Sequence, residues 1–117
     1  MIPLFIIIAL LINHWIADFV FQTHWMAVNK SRNIWALLAH VATYTLVLTS
    51  LTTPFFFPNF LWWVLTNGVI HGMIDFVTSR ITSYLWKRQD THHFFVVIGL
   101  DQLLHYITLF VSYVLLV

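Results

Sequence analysis

The stretch IPLFIIIALLINHWIADFVFQ, residues 2–22, ends a long apolar run with a histidine, an aspartate and a glutamine. His14 and Asp18 are four residues apart, and Gln22 follows at the same spacing. Because residues i and i+4 lie on one face of an α-helix, the three polar side chains form one stripe. The whole run approaches the ~20 residues that a helix needs to cross a bilayer. The stretch therefore predicts a membrane helix that carries ionisable side chains on one face.

The composition of the chain also favours a membrane protein. Of its 117 residues, 61% are hydrophobic and 8% are charged, whereas soluble proteins have roughly 25% charged residues. No basic segment precedes the first apolar run and no small-residue cleavage site follows it, so we expect a retained span rather than a signal peptide. There is no basic stripe, and we do not expect nucleic acid as a partner. Cysteine is absent, which excludes thiolate ligands and disulfides.

Four apolar segments, separated by polar or proline-bearing connections, approach the length of a span: 2–22, 33–52, 59–80 and 93–116. All the lysines and arginines lie in or beside the first and third connections: Lys30, Arg32, Arg80, Lys87 and Arg88. The positive-inside rule places these two connections in the cytoplasm. We therefore predict an all-α fold, an integral membrane four-helix bundle in the bacterial inner membrane. It is a single four-span domain, residues 1–117, with both termini extracytoplasmic and a third span that can continue to Trp86.

The ionisable residues of the four segments are predicted to lie at one depth in the membrane. Three pairs spaced four residues apart and one further histidine make up this set: His14/Asp18, His71/Asp75, Asp101/His105 and His40. Counted from the cytoplasmic ends at ~1.5 Å per residue, they fall into one layer. Ionisable side chains inside a membrane face the interior of the bundle. We therefore expect all seven side chains to converge.

Three carboxylates in one layer of a bilayer require a positive charge among them. An isolated aspartate near mid-bilayer costs at least ~2.5–3.5 kcal/mol on insertion scales, and neighbouring carboxylates repel one another. A divalent metal supplies the charge, and imidazole with carboxylate suits zinc first, with manganese or iron as alternatives. Seven ligands exceed the four of one tetrahedral site, and they suffice for two ions with a bridging aspartate. The predicted ligands are His14, Asp18, His40, His71, Asp75, Asp101 and His105.

The first functional hypothesis is a membrane-embedded metal-dependent enzyme, a hydrolase of a lipid-linked or phosphorylated amphiphile. Its metal, mono- or dinuclear, would activate water, and we predict Asp18, Asp101 and Gln22 as catalytic residues, with a spare aspartate or histidine as general base. The second hypothesis is a proton or divalent-metal transporter or channel that uses the same residues. Four spans are few for a pathway, so this version requires a homo-oligomer. The third is a structural network of polar groups between helices, without metal.

Two further groups of residues have structural interpretations. Lys30 is interpreted as a topology signal, with steering of an anionic head group as the alternative. The three glycines, residues 68, 72 and 99, lie within spans and are predicted to allow close helix packing. The outer halves of the spans are almost wholly apolar, which disfavours a pathway through the monomer.

The string HWIADFVFQTHWMAVNKSRNIWALLAHVATYT, residues 14–45, resembles the opening of a family of small bacterial and phage membrane proteins, domain of unknown function 3307. The shared pattern is H-x-x-x-D-F-x-x-Q, then a lysine, then a histidine on the next helix, carried here by His14, Asp18, Phe19, Gln22, Lys30 and His40. The later strings HGMIDFVTSR and GLDQLLHYITL resemble further elements of that family, carried by His71, Asp75, Asp101, Gln102 and His105. The resemblance implies that Gln22, Lys30 and Gln102 belong to the pattern. It supplies no reaction.

Overall fold

The computed structural model describes residues 1–55 and 57–117, and within these residues it contains helices and turns but no strand. The α-helices are α1 (Leu4–Trp15), α2 (His24–Asn29), α3 (Ile34–Thr52), α4 (Phe60–Lys87) and α5 (Thr91–Leu116). A π-helical turn, Ile16–Val20, continues α1, and a 3-10 turn, Thr53–Phe55, follows α3. The predicted all-α class is confirmed. Helix α4 also continues past the apolar segment to Lys87, as expected for its juxtamembrane end.

Three helical segments are long and apolar enough to cross a membrane: Ile34–Phe55, Phe60–Lys87 and Thr91–Leu116. They contain 22, 28 and 26 residues, compared with the ~20 that a bilayer requires. Many of their large apolar side chains point outward, and Leu46, Leu61 and Leu115 are 68%, 67% and 75% exposed. Such exposure is unfavourable in water and neutral against lipid tails. Length and surface together indicate a membrane protein.

The first apolar segment is shorter than predicted. Its helical part covers Leu4–Val20, because the chain leaves the helix at Phe21 and starts α2 at His24. Helix α2 lies in the segment that the sequence pattern marks only as a connection. Thr23 caps it, since the Thr23 hydroxyl accepts a hydrogen bond from the backbone N–H of Met26 at 3.2 Å. The result is a short helix that turns the chain back toward the bundle.

The other long helices begin at polar capping residues. The Asn33 side chain accepts from the backbone N–H of Trp35 at 2.9 Å at the start of α3. The Asp90 carboxylate accepts from the backbone N–H of His93 at 3.1 Å at the start of α5, and this bond lowers the pKa of Asp90. Helix α4 follows Asn59, whose φ of 59° lies in the left-handed region that asparagine tolerates. Side-chain caps therefore mark the starts of α2, α3 and α5, whereas Asn59 makes no such bond at the start of α4.

Successive helices pack side by side: α1 against α3, α3 against α4, and α4 against α5. Helices α3 and α4 approach closely because α4 has glycines at the contact. A Cβ atom at Gly72 would lie 3.0 Å from Val41 Cγ2, and one at Gly68 would overlap the side chain of Thr45. These two glycines confirm the predicted close packing. At Gly99 no atom of the described residues lies within 4 Å of such a Cβ, so this glycine has no packing role of that kind.

One half of the bundle is filled mainly by apolar side chains, with a hydrogen-bonded pair, Asn67 and Ser112, among them. The buried cluster comprises Ile6, Leu10, Ala17, Tyr44, Leu48, Phe57, Phe60, Trp63, Val64 and Leu109. The Trp63 indole donates a hydrogen bond to the backbone carbonyl of Leu109 at 3.1 Å, which ties α4 to α5 in this region. Along each helix, most of these residues lie one or two turns from the predicted polar site in the same direction. The apolar core therefore closes one end of that site.

Candidate metal centre

The structure brings the seven predicted ligands together from four helical segments. They lie on α1 (His14), the π turn (Asp18), α3 (His40), α4 (His71, Asp75) and α5 (Asp101, His105). Six of them are buried. Asp101 is the most accessible, with 16% of its side chain exposed. The convergence follows from the spacing argument, because each polar stripe is the face that its helix turns inward.

The π turn positions Asp18 in this cluster. Its defining bond runs from the backbone N–H of Phe21 to the carbonyl of Ile16, 3.1 Å, five residues back instead of four. Such turns are rare and occur frequently at functional sites. The Asp18 carboxylate reaches two groups of partners, since Oδ1 lies 3.0 Å from His40 Nε2 and Oδ2 lies 3.3 Å from Gln102 Nε2. Asp18 therefore links α3 to α5.

The first set of donor atoms consists of Asp18, His40, His71 and Asp75, whose ligand atoms lie within 4.8 Å of one another. His40 Nε2 is 3.0 Å from Asp18 Oδ1, 3.1 Å from Asp75 Oδ2 and 3.0 Å from His71 Nε2. His71 Nε2 is 3.4 Å from Asp18 Oδ1 and 3.6 Å from Asp75 Oδ2. Five of the six distances among these four atoms thus fall between 3.0 and 3.6 Å.

These separations match those between ligands of one metal ion. Ligand atoms about 2.1 Å from an ion are roughly 3.0–3.4 Å apart in octahedral or tetrahedral geometry. Hydrogen bonds alone account for the cluster less well, because each histidine Nε2 carries at most one proton. His40 Nε2 faces three partners at once, one of them another ring nitrogen. The group could hold a metal ion, as the sequence predicts.

The second set of donor atoms consists of Asp18, Asp101 and His105. His105 Nε2 lies 3.3 Å from Asp101 Oδ2 and 3.1 Å from Asp75 Oδ1. Asp18 belongs to both sets, and Asp75 turns its other oxygen, Oδ2, toward His40. Two carboxylates therefore connect two adjacent groups of donors. This is the arrangement that bridging aspartates have between paired metal ions.

Groups around the donors hold them in place. The His14 ring contacts the Tyr44 hydroxyl through Nδ1 at 2.9 Å and Gln102 Oε1 through Nε2 at 3.3 Å, and Asp18 Oδ2 lies 3.6 Å away. His14 thus lies beside Asp18 but outside both donor sets. The Tyr44 ring stacks on the His71 ring with centroids 3.9 Å apart. Gln102 donates to Asp101 Oδ2 at 3.0 Å. The spacing of the charged residues does not predict the contacts of Tyr44 with His14 and His71, nor the hydrogen bonds of Gln102.

Lys30 contacts the cluster, which its position in a connection does not predict. Its ammonium group donates to Asp75 Oδ2 at 2.8 Å, and 19% of its side chain is exposed. The interpretation of Lys30 as a topology signal stays a prediction. Helix α2 returns the chain to the bundle and carries Lys30, which caps its C-terminal end, to α4. The available signal was the family pattern, in which this lysine takes part.

A cleft of about 640 Å³ opens beside the donor atoms. Its lining includes Asp18, Asp101, Lys30 and Gln102, and the walls are mostly apolar. Gln22, predicted as catalytic, lies on the wall, and its Oε1 is buried without a hydrogen-bond partner among the described residues. Clefts of ~300–1,000 Å³ with a few convergent polar groups are typical of small-molecule sites. Asp18 and Asp101 therefore border the cleft, whereas Asp75 is not part of its lining.

Fold and site together define a helical protein with three helices long and apolar enough to cross a membrane and a buried histidine–aspartate cluster that could hold a metal ion. The chain belongs to the family described as protein of unknown function (DUF3307), whose family model matches residues 6–117. The resemblance stated from the sequence is confirmed. No curated protein and no solved structure matches the chain.

The ion pair between Lys30 and Asp75 is expected to stabilise the folded protein. In metal-free protein, Lys30→Met should lower the free energy of unfolding by about 1.5–3 kcal/mol, since a buried carboxylate loses a charged hydrogen-bond donor. Lys87→Met is the matched control, because Lys87 is exposed at the end of α4, and it should change stability by less than about 0.5 kcal/mol. Unfolding in detergent with chelator present measures both. Equal effects of the two substitutions would contradict the assignment.

Proposed function

We propose that this protein is a membrane-embedded metal-dependent hydrolase of a phosphorylated or lipid-linked amphiphile. The observation that carries the proposal is the sharing of Asp18 between two donor sets at the edge of a substrate-sized cleft. A polar cluster that only stabilises contacts between helices does not require an open cleft. A hydrolytic site requires one, because water and substrate must both reach the metal.

The donor atoms divide into ligands for two ions in this proposal. Asp18, His40, His71 and Asp75 hold one ion, and Asp18, Asp101 and His105 hold the other. Imidazole and carboxylate suit zinc, manganese or iron, and we propose zinc first. Bound ions of this kind polarise a phosphoryl or carbonyl oxygen and make water a stronger nucleophile near neutral pH.

The residues of the chain then have distinct tasks. Asp101 is the most accessible carboxylate of the cluster. It is the candidate general base at the cleft if the first set holds a single ion, because Asp101 is then not a ligand. Gln102 donates to both Asp18 and Asp101 and so fixes their orientation. The Lys30 ammonium has donors beyond the one it gives to Asp75, and a phosphoryl oxygen in the cleft is a suitable acceptor. Gln22 contributes an acceptor on the cleft wall.

The transport hypothesis receives less support from the same observations. A pathway needs polar groups on both sides of the cluster, whereas Leu48, Trp63 and Leu109 are fully buried in the apolar half. The cleft, in contrast, reaches the donors from one side. We therefore propose an enzyme that its substrate enters from one face of the membrane.

The proposed topology has four spans, with Leu4–Val20 as the first and both termini outside the cytoplasm of a bacterial cell. The segment is at the lower limit of the ~17–25 residues seen for membrane helices. Two observations support this topology: α1 packs against α3, and the basic residues lie in or beside the connections before α3 and before α5. The cleft then opens toward the cytoplasmic side.

Single cysteines test this topology, because the natural sequence has none. In intact cells a membrane-impermeant maleimide should label Val117→Cys and leave Arg88→Cys unlabelled. After permeabilisation both variants should react, which controls for burial. Labelling of both or of neither residue in intact cells would contradict four spans with external termini.

Elemental analysis tests the metal site. Protein purified without chelator should contain one or two equivalents of divalent metal per chain. His71→Ala and Asp75→Asn each remove a donor of the first set, and the metal content should fall to near background. His92→Ala is the control, because His92 is an exposed histidine at the start of α5, and it should retain the metal. Folded wild-type protein that remains metal-free after incubation with zinc, manganese and iron would overturn the proposal.

A further inference from the structure

The α4 side of the cleft presents hydroxyl groups. Thr78, Ser79, Thr82 and Ser83 all line it. Ser79 follows Asp75 by four residues and therefore lies one helical turn further along the same face. A molecule that reaches the donor atoms through the cleft would place its neighbouring groups beside Ser79.

Ser79 carries the only buried side-chain hydroxyl, among the described residues, that has no hydrogen-bond partner. The side chains of Thr45, Thr49 and Thr52, in contrast, each donate to the carbonyl four residues earlier, which is the usual partner within a helix. Ser79 is 8% exposed, and its Oγ has no partner among the described residues. Buried polar atoms without a partner are rare in native proteins and call for an explanation. An occupant of the cleft would provide one.

Gln22 supplies a second atom of this kind on the same cleft. Its side-chain oxygen is buried and unpaired within the described part of the chain, and the residue lies on the lining. An amide oxygen only accepts hydrogen bonds, so its partner must be a donor. The Ser79 hydroxyl can both donate and accept. A hydroxyl group satisfies both atoms by donating to the Gln22 oxygen and accepting from the Ser79 hydroxyl, and an ammonium group does so by donating to both.

The rest of the lining determines what carries this hydroxyl group. Phe94, Phe95 and Ile98 of α5 give the cleft an apolar wall suited to a hydrocarbon chain. Asp18, Asp101 and Lys30 line the same cleft. In the proposed function the metal ions offset the charge of the two carboxylates, and these ions together with Lys30 favour an anionic group and oppose an ammonium head group by like charge. An amphiphile with a phosphate and a neighbouring hydroxyl combines these properties.

We propose that the cleft binds a phospholipid-type amphiphile whose head group bears a hydroxyl beside the phosphate, and that Ser79 and Gln22 recognise this hydroxyl. The inference names the substrate class of the proposed hydrolase and rests on that function. The phosphate lies toward Lys30 and the metal ligands, the hydroxyl group lies between Ser79 and Gln22, and the hydrocarbon chain lies along α5.

A comparison of two lipids of equal charge and similar size isolates the contribution of the head-group hydroxyl to binding. Phosphatidylglycerol carries hydroxyls on its head group, and phosphatidylpropanol has the same carbon chain without them. Native mass spectrometry of the purified full-length protein in detergent measures how much of each is bound. We expect phosphatidylglycerol to bind roughly tenfold more tightly, which corresponds to about 1.4 kcal/mol. Equal binding of the two lipids would overturn the inference.

Substitutions in the cleft test which residues distinguish the two lipids. Ser79→Ala and Gln22→Leu should each bring the binding ratio of the two lipids toward one, because each removes a polar atom that faces the hydroxyl. Thr66→Ala is the control on α4, since Thr66 lines a different groove, and it should keep the wild-type ratio. A ratio unchanged in both cleft variants would contradict the assignment. Metal content measured on the same samples separates this result from the proposed function. Metal-loaded protein that binds the two lipids equally overturns the lipid inference alone, whereas protein that takes up no metal overturns the proposed function.

Discussion

The structure depends on the balance of charge among three aspartates that the π turn, α4 and α5 bring to one place. A carboxylate is costly in an apolar environment unless it is paired, and three of them together repel. The chain supplies one fixed positive charge at this point, the Lys30 ammonium on Asp75. Imidazole rings, Gln102 and Thr78 supply further contacts, and the imidazole nitrogens and carboxylate oxygens converge at ligand-to-ligand distances. In the proposed function a divalent cation among them completes the balance.

The fold serves this site through a few local features. Glycines on α4 let α3 approach closely, which brings His40 to His71. The π turn directs Asp18 to both donor sets. The apolar core closes one end of the cluster, and the cleft leaves the other accessible. Asp18 and Asp75 are therefore buried, while the cleft borders Asp18 and Asp101. The proposed hydrolysis of an amphiphile requires this combination of burial and access.

The sequence was sufficient to predict the helices and the members of the cluster, because both follow from spacing. His71 and Asp75 lie four residues apart on an apolar helix, and such a pair has only one favourable direction in which to face. The site contacts of Lys30 and Tyr44 were not predictable in this way, since each depends on how two segments pack. The π turn and helix α2 were not predicted for a related reason. The apolar pattern of residues 2–22 predicts a helix, but it does not show at which residue the regular helix ends and the next one begins. Roles within the site, including those of Asp101 and Gln22, stay predictions.

The most direct measurement is anomalous X-ray diffraction at the absorption edge of the metal found in crystals of the purified protein. The account predicts a peak among Asp18, His40, His71 and Asp75, about 2.0–2.2 Å from their ligand atoms, with a second ion beside Asp101 and His105. Well-ordered side chains in the same positions with no anomalous peak among them would show that protons and Lys30 alone hold the carboxylates together, and would contradict the account.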